Sequence, residues 1–381
     1  MLARSLGFLS AVLIGLPAGG AAQTEPAPRR LGAATGTYEG DLSAVSGARE
    51  LPDGRVLLTD FREPAIYLVD LRRGAATKLG RAGSGPNEYR QPGGIYQGPG
   101  DTLFVLDRGQ PRVLLVSAAG QIVGMRSVEL RGTSSASDRD VDFKRVDSRA
   151  LAYFTGERSL RSLVRGESPQ PTPLLRLEPA SQRMDTVATL RPPETRILGA
   201  EGNMIRSRTV IFSLQDGWGV APDGRVAVVR ASPYRVDWIG ADGRVMRGPE
   251  IPFRALPVTA ADQEAFAERL GSSMGIGGIG VAGRGERIAT PATSGGTLFA
   301  DTKPPFDPEE IIVSPDGRVF VGRYLPANAQ RVVYDVFDAR GERTDRIELP
   351  VRSRIIGFGP SALYVAERDA DDLPRLRKYP L

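Results

Sequence analysis

The sequence predicts an all-β protein, a six-bladed β-propeller made of four-stranded antiparallel blades. The main observation behind this fold class is a repeat, in which a tight turn precedes an apolar, β-rich run that stops at a charged residue. The repeat occurs at residues 51–60, 98–107, 221–230 and 314–323. Internal self-similarity of this kind is the sequence signature of an architecture built from similar units packed side by side.

A second turn glycine completes each repeated unit. In the second unit, Gly100 opens the repeat, Gly120 ends it, and two apolar runs lie between them at 103–106 and 113–116. Both runs are rich in β-branched and large apolar residues, and the segment 107–111 between them contains Gly and Pro, which predicts a hairpin. One more strand is expected on each side of the hairpin, and four antiparallel strands are the blade pattern of a propeller.

The repeated units place six blades along the chain, and the sixth unit has only three predicted strands. We therefore expect residues 30–35 to supply its outer strand and to close the ring, because closure removes exposed strand edges. The predicted blades span residues 51–79, 93–130, 141–190, 217–251, 310–350 and 355–381, the last completed by the N-terminal strand.

One short helix is expected in an insertion at residues 252–309, between the fourth and fifth blades. Thr259 and Asp262 have the spacing of a capping box, which is typical of a helix start. Phe266 and Leu270 follow four residues apart and would form an apolar stripe on that helix. Two positions are open for this helix: it lies over the channel as a lid, or it covers exposed sheet.

The N-terminal residues predict export. Arg4 precedes a short apolar stretch and a run of small residues, so residues 1–22 are typical of a cleaved signal peptide. Residues 23–29 are polar and Pro-rich and predict a flexible lead-in, and residues 30–381 form the propeller. We expect a periplasmic or extracellular monomer with no membrane span, because the apolar stretch is too short to cross a bilayer.

The composition excludes several kinds of active site. The chain has no histidine and no cysteine, which excludes histidine general bases, histidine-dependent triads and the usual zinc ligand sets. The formal net charge is +5 and the basic side chains are almost all arginine, which suits recognition of carboxylates and other anions. We expect no nucleic-acid partner, because basic and acidic residues are interspersed in nearly equal numbers.

Several segments resemble bacterial six-bladed propellers related to the NHL-repeat proteins. The Gly-rich run 80–89 with 91–95 is similar to the lead-in of such propellers, and 106–113 is similar to the NHL hairpin. Residues 304–306 and 333–338 resemble exported members of the group. The resemblance implies the fold, and it implies one of three roles: a binding module, a lyase or a calcium-dependent hydrolase. Its enzymatic members rely on histidine or metal-ligand sets, and this chain has no histidine.

The predicted loops are long on one face of the ring only. The turns between the first and second strands of each blade, and between the third and fourth, are short and lie on what we call the short-turn face. The long connections lie on the opposite face, called here the long-loop face, at residues 80–92, 191–216, 252–309 and 324–330. Binding residues are disproportionately found on loops held by a rigid scaffold, so we expect the binding site on the long-loop face.

Charged residues at the ends of the second strands are the first candidate site residues, with Thr155 or Glu157 in the irregular third blade. Arginine and tyrosine are favoured contact residues at binding surfaces, which adds further candidates on the loops. The competing interpretation is that the aspartates bond to their own turns and that the tyrosines pack in the core. The predicted ligand-binding residues are Asp60, Arg81, Glu88, Tyr89, Asp107, Arg230, Tyr234, Arg323, Tyr324 and Glu367.

The leading functional hypothesis is an exported, non-catalytic propeller that binds a protein, peptide or glycan on its long-loop face and needs no cofactor. The first alternative is a calcium-dependent hydrolase or lyase, in which Asp60, Asp107 and Glu367 hold a Ca²⁺ ion at the central channel, because carboxylates are calcium ligands. The second alternative is a structural component of the cell envelope.

Overall fold

The computed structural model describes residues 27–129, 143–156, 161–201, 204–274 and 297–381. In these ranges the protein is almost entirely β-structure, with two helical segments, and its sheets have a propeller-like arrangement. The predicted signal peptide, residues 1–22, and Glu157 lie outside the described residues. No helix in the described part of the chain is both long and apolar enough to cross a membrane.

The strands of the first half of the chain alternate with short turns. They are β1 (Arg29–Arg30), β2 (Gly36–Tyr38), β3 (Val45–Glu50), β4 (Val56–Asp60), β5 (Ala65–Asp70), β6 (Ala75–Leu79), β7 (Arg81–Ala82), β8 (Glu88–Tyr89), β9 (Pro92–Gln97), β10 (Leu103–Asp107), β11 (Arg112–Val116), β12 (Ile122–Ser127), β13 (Arg145–Val146), β14 (Ala152–Thr155), β15 (Thr172–Glu178) and β16 (Arg183–Leu190). The short helix α1 (Arg161–Val164) lies between β14 and β15.

The second half contains the two largest departures from the repeat. Its strands are β17 (Thr195–Glu201), β18 (Met204–Thr209), β19 (Gly217–Val220), β20 (Val226–Ala231), β21 (Tyr234–Ile239), β22 (Val245–Arg247), β23 (Leu256–Pro257), β24 (Thr302–Lys303), β25 (Phe306–Val313), β26 (Val319–Arg323), β27 (Arg331–Phe337), β28 (Arg343–Pro350), β29 (Ser353–Gly359), β30 (Ala362–Arg368) and β31 (Pro374–Pro380). Hairpin β17–β18 lies in the long connection at residues 191–216, and helix α2 (Ala260–Met274) lies in the predicted insertion.

Most strands belong to four-stranded antiparallel runs of the kind predicted for blades. Three separate sheets have the strand orders β12-β11-β10-β9, β13-β14-β15-β16 and β19-β20-β21-β22, and a fourth contains β28-β27-β26-β25 with β1 added at its edge. An eight-stranded sheet holds the other two runs, β2-β31-β30-β29 and β3-β4-β5-β6. Because two predicted blades form one continuous sheet, the count of six blades stays a prediction.

A close approach of two inner strands joins the two runs of the eight-stranded sheet. Strands β29 and β3 are parallel neighbours, with Gly357 opposite Ala48 and Phe358 opposite Arg49. A Cβ atom on Gly357 would lie 1.7 Å from the carbonyl oxygen of Ala48, so only glycine fits at this position.

The N-terminal chain adds a strand to the last run, at different residues from those predicted. Strand β2 pairs antiparallel with β31, with Gly36 opposite Lys378 and Tyr38 opposite Leu376. The predicted strand at residues 30–35 was therefore wrong by a few positions. Part of that segment serves another sheet, because β1 pairs in parallel with β28.

The core is divided into six clusters of buried side chains in the described residues, and each cluster lies between two consecutive four-strand runs. In the largest, Tyr234 and Trp238 of β21 pack with Phe306 and Phe337 of the next run. Burying a large aromatic or aliphatic side chain stabilises the fold by about 2–3 kcal/mol. The series is closed, because the cluster that contains Tyr364 joins the last run to the first.

The predicted helix is present, and none of its described residues lines the central channel. Thr259 and Asp262 form the expected capping box, since the Asp262 carboxylate accepts hydrogen bonds from the Thr259 backbone NH and hydroxyl. The Phe266 ring makes edge contacts with Phe212 and Phe299 at 6.0 and 5.8 Å. In the described residues, nothing from 252 to 307 lines the central channel, so the lid interpretation lacks support.

Candidate ligand site in the central channel

A channel with a volume of about 550 Å³ runs through the middle of the ring. Its walls are formed by the inner strands β3, β9, β13, β19, β25 and β29, one from each four-strand run. This volume is within the range of about 300–1,000 Å³ that is usual for small-molecule sites. Two of these strands, β3 and β29, pair with each other, and the wall combines backbone groups with selected side chains.

Residues from both faces of the ring contribute to the channel wall. On the long-loop side the wall includes Arg108, Thr155, Thr172 and residues 190–193, and on the short-turn side it includes the turn residue Pro222. More residues therefore line the channel on the long-loop side than on the short-turn side. A ligand that enters the channel from that side would contact loops as well as strands.

Arg145 of β13 crosses the channel wall and connects three inner strands. Its Nη2 donates hydrogen bonds to the carbonyl oxygens of Trp218 at 3.0 Å and Ile311 at 3.2 Å. The guanidinium lies over the Trp218 ring, 5.1 Å from the ring centre. Its Nε is buried and has no hydrogen-bond partner in the described part of the chain. Both acceptors are uncharged, so the guanidinium keeps its full positive charge towards the channel.

Arg49 of β3 is a second cation on the wall and is half-buried. Its Nη2 donates a hydrogen bond to the side-chain oxygen of Gln97, at 3.2 Å, which is also an uncharged acceptor. Burial lowers the pKa of Arg49 to about 10, because water solvates the charged form less well there. The side chain is still charged at neutral pH, which lies well below that pKa.

Two of the three described acidic side chains on the channel wall, Glu310 and Asp216, have cationic partners of their own, and the third, Glu309, is exposed. The Glu310 carboxylate lies 3.5 Å from Nε of Arg354 and accepts a hydrogen bond from the Tyr334 hydroxyl at 2.8 Å. The Glu310 charge raises the pKa of Arg354, which shows that these groups stabilise each other. Asp216 pairs with Arg230 at 2.8 Å. Neither carboxylate pairs with Arg49 or Arg145.

The arrangement therefore favours an anionic group in the channel. A guanidinium presents several N–H donors in a planar fork that matches a carboxylate or phosphate. An aromatic face next to the fork, here the Trp218 ring, adds an apolar contact surface. A cationic ligand would be repelled by Arg49 and Arg145.

None of the ten residues predicted from the sequence lines the channel. The two aspartates have structural partners, as the competing interpretation holds. Asp60 accepts hydrogen bonds from the backbone and hydroxyl of Ser43, both at 2.6 Å. Asp107 pairs with Arg112 at 3.2 Å and accepts a hydrogen bond from the backbone NH of Gln91 at 2.8 Å. Both carboxylates hold loops against strand ends.

The residues predicted as calcium ligands do not come together. Glu367 accepts a hydrogen bond from the Tyr379 hydroxyl at 3.0 Å, while Asp60 and Asp107 are engaged in separate runs. In the described ranges, no three carboxylates lie close enough together to hold a metal ion. The calcium alternative thus has no ligand set in this part of the chain.

The predicted strand-end arginines belong to buried ion networks. Arg230 bonds to Asp216 and Asp237 at 2.8 and 3.1 Å, and Arg323 bonds to Asp335 at 2.8 Å. Asp335 is fully buried, and it also accepts a hydrogen bond from the Tyr234 hydroxyl at 2.8 Å.

Tyr234 comes from the preceding run, so its bond to Asp335 links two neighbouring sheets. Burial raises the pKa of Tyr234 well above its ordinary value, and its hydroxyl stays protonated. Tyr234 packs in the core, as the competing interpretation for the tyrosines holds.

The loop candidates divide into one exposed pair and two packed tyrosines. Arg81 and Glu88 form an ion pair at 2.7 Å on the first long loop. Tyr89 is fully buried and donates a hydrogen bond to the carbonyl of Leu79, so it packs in the core as the competing interpretation holds. Tyr324 packs edge-on against Phe212 with 5.2 Å between ring centres, beneath the inserted helix.

Sequence reasoning missed Arg49, Arg145 and Trp218, which form the polar wall of the channel. A usable signal was present, because all three lie a few residues before an opening turn, where the inner strand of each blade was expected. A bulky or charged side chain in an otherwise small-residue inner strand indicates a side chain that faces the channel.

Comparison with known proteins gives structural likeness only. No family model matches the chain, and no curated protein matches it. Among solved structures, it is similar to the calcium-binding protein regucalcin from Agrobacterium tumefaciens, with 12% identity over 92% of this chain and 95% of that one and a TM-score of 0.41.

Two other solved structures are similar at the same level. A member of the DUF4221 family from Bacteroides vulgatus matches 91% of this chain and 93% of its own, with 9% identity and a TM-score of 0.45. Virginiamycin B lyase from Staphylococcus aureus matches 91% and 99%, with 9% identity and a TM-score of 0.40. No function is transferred from these likenesses.

Proposed function

We propose that the protein is an exported, non-catalytic binding propeller, and that its ligand, a protein segment, peptide or glycan, enters the central channel from the long-loop face. The channel itself carries this proposal, because it is large enough for a ligand and is bordered by the long connections. Arg49 and Arg145 on its wall are held by neutral acceptors, which suits binding. The wall carboxylates Glu310 and Asp216 are engaged with arginines, which favours a binding role over general-base catalysis.

The propeller has six blades in this proposal, and the eight-stranded sheet counts as two of them. Six core clusters connect six four-strand runs in sequence, and the last cluster leads back to the first run. A ring of this kind holds its channel wall rigidly, since each inner strand is supported by packed sheets on both sides. The similarity of residues 80–95 and 106–113 to NHL-related propellers is consistent with this count.

The pattern of residues 1–22, which is typical of a cleaved signal peptide, supports export to the periplasm or to the outside of the cell. N-terminal sequencing of the protein recovered from the exported fraction tests this directly. A mature chain that begins near Gln23 supports the proposal. Accumulation of the full-length chain in the cytoplasm contradicts it.

A channel block tests the binding function. Thr155 is exposed at the end of β14 and lines the channel, so Thr155→Trp places a large ring at the long-loop side. Thr77→Trp is the matched control, because Thr77 is exposed on the outer strand β6, away from the channel. Residues 23–381 and both variants are screened by biolayer interferometry against defined peptides and oligosaccharides, and each bound compound is examined by mass spectrometry.

We expect bound compounds to be recovered unchanged, with affinity lost in the Thr155→Trp protein and kept in the Thr77→Trp protein. Reproducible turnover of a compound refutes the non-catalytic assignment. Equal affinity of the two variants for the best ligand refutes the channel as the binding site and directs attention to the outer loop surfaces.

A further inference from the structure

We infer that the channel recognises a carboxylate group of its ligand, and that Arg49 and Arg145 bind this group. The inference rests on the proposed function, since it needs a ligand in the channel. It adds the chemical class of that ligand: a chain with an acidic group, either a peptide with a free carboxylate or a glycan that contains a uronic acid.

The first argument is the charge of the channel wall. Arg49 and Arg145 have only uncharged acceptors, the Gln97 amide and two backbone carbonyls. Two wall carboxylates are already paired, Glu310 with Arg354 and Asp216 with Arg230, and among the described residues no ion pair joins the third, Glu309, to Arg49 or Arg145. Cations on an enclosed protein wall attract anions more strongly than cations on an open surface, where water and salt screen them.

The second argument is the way in which the arginines are held. Arg145 is fixed by two hydrogen bonds through one nitrogen and by stacking on Trp218, so little side-chain entropy remains to be lost on binding. A buried cation without an anionic partner lowers stability, and proteins keep such groups mainly where a ligand provides the missing charge. Arg145 differs in this respect from the arginines around Asp335, which have a carboxylate partner within the fold.

The third argument favours a carboxylate over a more highly charged anion. The inner wall combines glycines and apolar side chains such as Ile95, Ile311 and Ile355 with polar and charged ones such as Lys144 and Glu309. A wall of mixed polar and apolar side chains, with two arginines held by neutral acceptors, fits a singly charged group on an organic chain. A phosphate dianion would lose more hydration on entering such a wall than a carboxylate would.

Isothermal titration at pH 7 and low ionic strength tests the inference with two pairs of probes. One pair is N-acetyl-trialanine with a free carboxylate and its C-terminal amide. The other is trigalacturonate and its methyl ester, and inorganic phosphate is measured alongside. The proteins are the wild type, Arg49→Met, Arg145→Met and Arg145→Lys. Arg340→Met is the matched control, since Arg340 is exposed in a short turn and its loss changes the net charge equally.

We expect at least one acid to bind, and its neutral partner to bind at least about tenfold more weakly, since hydrogen bonds to charged groups contribute about 1.5–3 kcal/mol. Arg49→Met and Arg145→Met each weaken binding about tenfold or more, while Arg340→Met has no effect. Arg145→Lys keeps the charge and loses the planar fork, so its effect is intermediate. The pair that binds identifies the peptide or the glycan as the source of the carboxylate.

Four outcomes would overturn the inference. They are equal binding of acid and neutral forms, wild-type affinity in both methionine variants, binding of phosphate alone, and binding of no acid up to its solubility limit. None of these outcomes decides the proposed function, because the Thr155→Trp comparison measures channel binding for ligands of any charge. Circular dichroism checks that each variant is folded. If Arg145→Met does not fold, Arg49→Met and Arg145→Lys still test the inference.

Discussion

Replacement of Arg49 by methionine should stabilise the protein while it weakens ligand binding. Burial lowers the pKa of Arg49 to about 10, more than two pH units below its ordinary value. Each pH unit corresponds to about 1.4 kcal/mol, so burial of the charge costs up to about 3 kcal/mol. Channel water reduces this cost and the hydrogen bond to Gln97 offsets part of it. We therefore expect a net gain of about 1 kcal/mol in the free energy of unfolding of the variant.

The pH dependence of this gain has a definite sign. Below about pH 10 the arginine is charged in both the folded and the unfolded states, and the folded state bears the full cost of burial. As the pH rises through about 10, the folded protein loses this proton first, and the cost decreases. The advantage of Arg49→Met over the wild type should thus be constant at pH 7–9 and become smaller above pH 10.

Urea unfolding followed by circular dichroism at pH 7, 9 and 10.5 measures both effects. Arg340→Met should stay within about 0.5 kcal/mol of the wild type, as most exposed substitutions do. A variant that is both more stable and poorer at binding identifies Arg49 as a binding residue, since binding sites commonly cost stability. If Arg49→Met is less stable than the wild type at pH 7, the side chain has a structural role and the reasoning is refuted.

Three further predictions concern interactions that hold the ring and its insertion together. Lys303→Met should lower the free energy of unfolding by about 3–5 kcal/mol, because it leaves Asp262, 2.5 Å from the lysine Nζ, buried without its partner. Tyr234→Phe should cost about 1–2 kcal/mol, since it removes the hydrogen bond to Asp335 between two sheets. Gly357→Ala should cost about 2 kcal/mol or more, because the new methyl group must separate β29 from β3. Urea unfolding measures each of them.

Each of these predictions has a distinct contrary result. A Lys303→Met protein that unfolds like the wild type would show that the ion pair with Asp262 adds nothing to stability. Unchanged stability of Tyr234→Phe would mean that the arginines around Asp335 satisfy it without the hydroxyl. A neutral Gly357→Ala substitution would show that the two inner strands separate freely, which is contrary to the rigid wall described above.

The site was less accessible to sequence reasoning than the fold, and Asp60 shows why. A charged residue at a strand end is equally suited to bind a ligand and to hold a neighbouring loop. Only the position of Ser43, whose backbone NH and hydroxyl donate hydrogen bonds to Asp60, shows that Asp60 holds a neighbouring loop. Tyr89 is a similar case, since its hydroxyl bonds to the Leu79 carbonyl and its ring is buried.

The sequence by itself determined the β-strands, the short turns and their repetition, because turn glycines and apolar alternation act locally. It also located the insertion and the start of helix α2. Tertiary structure alone decided which side chains face the channel. Register shifts in the inner strands, such as those between Val45 and Gly47 and between Ile355 and Gly357, change the alternation of side chains along the strand. The contact of Arg145 with Ile311 joins residues 166 positions apart, a distance over which no local pattern in the sequence can act.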